Sequence, residues 1–210
     1  MPQHGRAMKK PPPQISTTEV EKVALELFAT RGFRETSVDD IAAAAGISRR
    51  SFFRYFESKN NILFAEFGTL LLNLEEWFRS VPDDRPMFDA IAEAVLRFNR
   101  VHSDGPVAHR ARMKLILQTP ALRAQATLRH AEWLGVVALF TARRMGEPPE
   151  ALGPQLAAHV SLGAANAAYE EWLRDESSDL VELVYRTFRM AQALAELEVP
   201  GPAAPSNTAR

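Results

Sequence analysis

Three times within about forty residues this chain opens a short helix with a hydroxyl-bearing residue and soon closes it. Thr18 with Glu21 fits a capping box, Ser37 with Asp40 repeats the pattern, and Ser48 is the third cap in succession. After the first cap, Val20, Val23, Ala24, Leu27 and Phe28 recur at helical spacing, and after the second Val38, Ile41, Ala42 and Ala45 do the same. Gly32 stops the first helix and lets Phe33 fold back beneath it. Gly46 supplies the backbone freedom of a tight turn before Ser48. These signals predict a compact three-helix unit, too small to be very stable alone.

Ser58 is expected to cap a longer fourth helix carrying Lys59 in its first turn. Its apolar set of Ile62, Leu63, Phe64, Phe67, Leu70, Leu71, Leu74, Trp77 and Phe78 is broad enough to be covered on more than one side. Pro82 and Pro86 end it, and further Pro and Gly punctuation divides the chain into helices near 87–103, 106–118, 120–145, 155–174 and 179–197. β-branched alternation is absent and no internal repeat is visible, so the fold class is all-α with about nine helices. The expected organisation is a basic, flexible arm over 1–16, a helix-turn-helix domain over 17–60, a helical domain over 61–198 and a disordered Pro/Ala-rich tail over 199–210. With 46% apolar residues the chain can fill a core, and no apolar run approaches the ~20 residues that span a bilayer. The absence of cysteine excludes thiolate metal sites and disulfides, and an intracellular, cytoplasmic protein is the expectation.

Net charge is −1, so any affinity for polyanions must come from how the charge is distributed. Between Ser48 and Lys59 stand Arg49, Arg50, Arg54 and Lys59 against Glu57 alone, and Arg6, Lys9 and Lys10 sit in the acid-free first stretch. In a helix-turn-helix the second helix enters the major groove while the first crosses the backbone. Ile41, Ala42, Ala45, Ile47 and Phe52 would join the two helices. That leaves Arg49, Arg50, Ser51, Phe53, Arg54 and Tyr55 on the outward arc. A guanidinium fork matches guanine O6 and N7, Ser51 can donate to base or phosphate, and Phe53 can meet a thymine methyl or a sugar. Tyr55 and Lys59 are expected to hold phosphates, the amides that open the helix after Ser37 offer one more seat for them, and Ser48 is counted with the residues that contact DNA.

At these residues the chain resembles the tetracycline-repressor (TetR) family of bacterial regulators. The matching pattern is Ala24-x-x-Leu27-Phe28-x-x-x-Gly32-Phe33, then Thr36-Ser37-Val38-x-x-Ile41-Ala42-x-x-Ala45-Gly46-Ile47-Ser48, then Phe52-Phe53-x-Tyr55-Phe56-x-Ser58-Lys59. The resemblance implies an all-α homodimer whose first three helices bind double-stranded DNA at a palindromic operator, and whose remaining helices hold an effector pocket and the dimer interface. Arg50 stands where the family often has Gly, and Phe53 where it often has Tyr, so the operator cannot be carried over from relatives. Further on, His109-Arg110-Ala-Arg112-Met-Lys-Leu-Ile-Leu-Gln-Thr-Pro120-Ala-Leu, Thr127-Leu-Arg129-His130-Ala-Glu132-Trp133 and Gly163-Ala-Ala-Asn-Ala-Ala-Tyr169-Glu170-x-Trp172 resemble the mycofactocin-system subgroup of these regulators. That implies control of genes for a peptide-derived redox cofactor, and a lipophilic effector such as a long-chain acyl-CoA.

Candidate pocket residues are Leu71, Leu74, Phe78, Ile91, Val95, Met113, Leu117, Trp133, Val137 and Tyr169, with Asn99, Arg112, His130 and Asn166 to orient a ligand. Arg112, Arg129 and His130 could meet an anionic head group, while Glu132 could instead pair with an arginine to join helices. For dimerisation the candidates are Leu156, His159 and Gly163 on the penultimate helix and Leu180, Val184, Phe188 and Ala191 on the last, two apolar faces that a four-helix bundle with a second copy would bury. The fourth helix, running from Lys59 into the core, is the expected link between effector and reading head, giving a coupling of roughly 1–3 kcal/mol.

Other classes find less in the sequence. There is no GxSxG, GxGxxG or GxxxxGK[ST] pattern, and the histidines at 4, 102, 109, 130 and 159 form no i, i+4 metal pair. Catalysis, a resident cofactor and a metal site are therefore not expected. A helical lipid or acyl-CoA carrier without DNA binding would explain an apolar interior but not residues 36–59.

Overall fold

The computed structural model describes residues 15–100 and 105–196. Among them are nine α-helices and one short 3-10 helix, with no strand. The basic arm is thus described only from Ile15, and the tail from residue 197 lies outside the described residues. None of these helices is long and apolar enough to cross a membrane. The described residues divide into two compact units, one comprising those up to Glu66 together with Leu115–Gln125, the other those within Phe67–Lys114 together with those from Ala126 onward.

In the first unit, α1 (Thr17–Arg31), α2 (Val38–Ala44) and α3 (Arg49–Tyr55) precede a 3-10 helix over Lys59–Phe64. Each α-helix begins at a serine cap, though the first cap lies two residues earlier than the sequence suggested. The Ser16 hydroxyl accepts from the Glu19 amide while the Glu19 carboxylate accepts from the Ser16 amide. Two S/T-x-x-E patterns overlap here. Using the earlier one frees the Thr18 hydroxyl to donate to Glu66 at 2.7 Å and lets Glu21 be buried. Ser37 and Asp40 form the second box as expected, and the Ser48 hydroxyl accepts from the Ser51 amide. Gly46, at φ 65°, ends α2 in a Schellman turn, with Ile47 N–H on Ala42 O and Gly46 N–H on Ala43 O. Phe33 does fold back onto Phe28, ring centroids 4.8 Å apart. Val20, Ala24, Phe28, Ile41, Phe52, Phe56 and Ile62 fill the core.

The expected long fourth helix is two elements. Ser58 makes no capping bond to a backbone amide; its hydroxyl donates to Asn61. The 3-10 helix buries three successive residues, Ile62, Leu63 and Phe64, in the first unit. After it, α4 (Phe67–Ser80) buries Leu70, Leu74 and Phe78 at i, i+4 and i+8 in the second. On one α-helix three adjacent side chains would span about 200°, much wider than the single face that Leu70, Leu74 and Phe78 occupy. The domain boundary expected at 60/61 therefore falls inside the 3-10 helix, and Lys59 is not on α4.

The second unit contains α4, α5 (Met87–Arg100), α8 (Leu152–Arg174), α9 (Leu180–Glu196) and most of α6 (Gly105–Gln118) and α7 (Pro120–Met145). Helix α8 starts three residues before the expected position because Pro154 fits the first turn, where its missing N–H is not needed. Its small residues Ala157, Ala158, Ala164, Ala165 and Ala168 are buried, which permits close packing against α9. Phe78 stacks on Phe140 with centroids 4.2 Å apart. Tyr185 of α9 donates to Glu93 of α5 at 2.9 Å, and Glu93 in turn pairs with Arg97, whose guanidinium lies over Trp77 of α4.

Partial burial of the His130 imidazole lowers its pKa, because removing water disfavours the cation. As the pH falls through the ordinary imidazole range, the unfolded chain takes up that proton first, and stability is expected to decline there. His130→Gln should flatten this part of the melting temperature against pH profile; superimposable profiles would remove His130 as its cause.

Candidate functional site

A helix as short as α3 presents only one buried side chain to its neighbours, Phe52, which has no exposed surface. Phe56 lies just beyond the helix and packs against it, centroids 5.2 Å apart. With those two inward, Arg49, Arg50, Phe53 and Arg54 are exposed, and Ser51 and Tyr55 are half-buried. The structure therefore brings the sequence-predicted reading residues together on one outward surface.

Their states differ in ways the sequence did not reveal. Arg49 is paired with Asp39 of α2, its Nη1 2.8 and 2.7 Å from the two carboxylate oxygens, and its guanidinium carbon is 5.3 Å from the Phe53 ring centre. Arg54 lies over the Tyr55 ring and donates to the Tyr55 hydroxyl at 2.9 Å. Ser51 shares a 3.0 Å hydrogen bond with the Ser48 hydroxyl. Arg50 is exposed and has no partner among the described residues. At Ser37 the expected phosphate seat is partly taken, since its amide and hydroxyl both donate to Asp40, at 2.8 and 2.5 Å. Those two bonds hold the Asp40 carboxyl below its ordinary pKa, so an anion already sits at that cap.

Lys59 departs most from expectation. Its ammonium donates to the backbone oxygens of Phe33 at 2.7 Å and Thr36 at 2.9 Å, and lies 4.5 Å from the Phe33 ring centre. Thr36 itself is fully buried and donates to Gly32 O at 2.7 Å. The lysine thus ties down the loop that launches α2 instead of standing free toward phosphate.

In the second unit the pocket candidates are mostly packing residues. Leu74, Phe78, Ile91, Val95, Trp133, Val137 and Tyr169 are buried, as is Arg112, while Leu71, Asn99, Met113, His130 and Asn166 are half-buried. Leu117 belongs to the first unit. Phe78 is occupied by its stack with Phe140, and Asn99 donates to Val95 O. Glu132 pairs with Arg129 within α7 instead of joining two helices. The unit carries a groove of about 840 Å³ that takes in only Asn99 of these candidates, lined also by Leu96, His109, Arg110, Lys114, Trp172, the acids Glu176 and Asp179, and the start of α9 at Leu180 and Val181. Arg110 lies 4.2 Å over the Trp172 ring and donates to Trp172 O, while the His109 ring nitrogen Nε2 is 3.2 Å from the Tyr169 hydroxyl. Burial pushes the Tyr169 phenol pKa up, keeping it neutral. Apart from Asn99 the sequence reasoning missed the groove, although His109, Arg110 and Trp172 stand in the motifs it singled out.

The dimerisation candidates divide by helix. On α8, Leu156, His159 and Gly163 are exposed along one face, continuing from Leu152. On α9, Val184 and Phe188 are buried within their own unit, Phe188 against Phe88, and Leu180 and Ala191 are half-covered. The exposed large apolar residues of α9, among the described residues, are Val181, Met190 and Leu194. Spacing alone identified an apolar stripe here, but it is the one α9 uses to pack against α5 and α8.

Comparison with known proteins matches residues 22–65 to the family model described as bacterial regulatory proteins, tetR family. Residues 85–195 match the model described as the MftR C-terminal domain. The mycofactocin biosynthesis transcriptional regulator MftR of Mycobacterium tuberculosis is 44% identical over 180 residues, covering 85% of this chain and 91% of its own length. Among solved structures, Thermus thermophilus FadR in complex with lauroyl-CoA aligns at TM-score 0.58 with 21% identity, over 90% of this chain and 99% of that one. Bacillus subtilis FadR in complex with stearoyl-CoA aligns at 0.61 with 18% identity, over 84% and 97%.

The role of Lys59 can be tested directly. Lys59→Met keeps the stem and removes the donors, and is expected to cost about 1–3 kcal/mol in urea unfolding. The slope of log affinity for DNA against log salt should stay as in the parent chain. A slope reduced by about one would instead assign the ammonium to a phosphate.

Proposed function

Because this chain belongs to the TetR family of bacterial transcriptional regulators and carries an MftR-type C-terminal domain, we propose that α3 reads the major groove of a palindromic operator, with two copies of the chain on one two-fold axis. The observation that carries this reading is the outward surface of α3, where one unpartnered arginine, Arg50, stands between Arg49 and Arg54 on a helix held from behind by Phe52. A single short helix reaches only a few base pairs, so symmetry is needed for a useful site. Residues 17–66 form the continuous part of the reading head in this view. The exposed face of α8 through Leu152, Leu156, His159 and Gly163, with Met190 and Leu194 of α9, is the surface for the second copy.

The effector is a long-chain acyl-CoA or a compound of that type, whose binding releases DNA and relieves repression. Support comes from the groove, whose lining combines Leu96, Leu180 and Val181 with the cations Arg110 and Lys114, the Trp172 ring and the acids Glu176 and Asp179. Lys114 has no partner among the described residues and is available to an anion. The two FadR neighbours bound to lauroyl-CoA and stearoyl-CoA support the same class. Similarity to the mycobacterial MftR along most of the chain supports control of mycofactocin genes. A ligand that favours the non-binding arrangement needs only a differential affinity of about 1–3 kcal/mol to weaken DNA binding 5–150-fold.

Gel shifts with the genomic fragments that the protein retains test the reading surface. Arg49→Ala, Arg50→Ala and Arg54→Ala should each weaken binding about tenfold or more, and unchanged affinity in all three would take α3 out of the interface. Titration with palmitoyl-CoA should change Trp172 fluorescence saturably and dissociate the DNA, with Trp172→Phe removing the optical signal. A flat titration with intact gel shifts would eliminate this effector class.

A further inference from the structure

The pair between Asp39 and Arg49 joins the two helices of the motif on its exposed side, where an acid is a liability for binding a polyanion. Both side chains are solvent-facing, so the pair adds little to folding. Nor is Asp39 needed for the cap of α2, because Asp40 alone closes the box with Ser37. What Asp39 does is hold one specific arginine. Only Nη1 of Arg49 is engaged, between the two carboxylate oxygens. Nε–H and the Nη2 hydrogens remain unspent. On its other side the guanidinium meets Phe53, which is itself braced edge-on by the fully buried Phe52 with centroids 5.4 Å apart. Arg50, one position along, has no such support.

We infer that Asp39 is a specificity-determining positioning residue, which holds Arg49 as the base-reading arm and penalises DNA that offers Arg49 only a phosphate. The argument rests on the reading that α3 enters the major groove. Guanine O6 and N7 are neutral acceptors and can take the free Nε and Nη2 edge while Nη1 stays on the carboxylate. A phosphate oxygen is an anion, and at the same guanidinium it must approach the Asp39 carboxylate against like-charge repulsion. Asp39 therefore subtracts from the phosphate-driven binding that every duplex shares and leaves the base-driven part intact. A rigid arm also loses less freedom on docking than a free one.

The test uses the full chain and two duplexes, one selected by the parent protein from a random pool and one scrambled from it. Asp39→Asn should bind the scrambled duplex more tightly, by roughly two- to fivefold, with no gain on the selected one, so the ratio of the two affinities falls. Asp39→Glu should restore part of that ratio, which also keeps the test decisive if the Asn variant folds poorly. In an Arg49→Ala background the Asp39→Asn change should no longer alter the ratio. Equal tightening on both duplexes, or an undiminished effect without Arg49, would overturn the inference by reducing Asp39 to a bulk charge. If Arg49→Ala leaves selected binding unchanged while Arg50→Ala weakens it, α3 still reads DNA and only this inference fails. If neither matters and Arg54→Ala is also without effect, the reading of α3 fails with it.

Discussion

A seven-residue helix cannot hold its own shape in water, because nucleation costs more than so few hydrogen bonds return. The exposed surface of α3 therefore depends on Phe52, the one side chain of that helix with full burial, and on the Schellman turn at Gly46 that delivers the chain to Ser48. Rotation of α3 by a single residue would swing Phe52 outward by about 100° and carry the arginines into the core. The apolar contact behind the helix and the polar face in front of it are one constraint seen from two sides.

Local signals were legible in the sequence and distant ones were not. The Ser37–Asp40 box, the Gly46 turn and the Ser48 cap involve partners within a few residues, and each was found where spacing put it. The cap of α1 was read two residues late because Ser16–Glu19 and Thr18–Glu21 are equally good patterns, and only the Thr18–Glu66 bond and the burial of Glu21 decide between them. The division of the fourth helix was invisible for the same reason. Composition shows that Ile62 to Phe78 is apolar, but not that its first third belongs with a different unit from the rest.

At the site, the sequence named the residues and missed their partners. Lys59 has the right charge and position for a phosphate contact, yet its acceptors are main-chain oxygens more than twenty residues earlier, which carry no side-chain signature. For Arg49 a signal did exist, since one acid of the Asp39–Asp40 doublet is surplus to the cap. On α9 the stripe through Val184 and Phe188 was correctly read as apolar, but periodicity cannot tell a face that packs inside one chain from a face that waits for another.

The first unit is not a continuous piece of chain. It also includes Leu115–Gln125, from which Ile116 and Leu122 are buried, Leu122 completely. A head severed after Glu66 would lack that eleven-residue contribution, and a head transplanted onto a foreign body would meet someone else's version of it. A reading head exchanged at Glu66 between two such regulators would therefore leave this short stretch of its own unit behind with the old body.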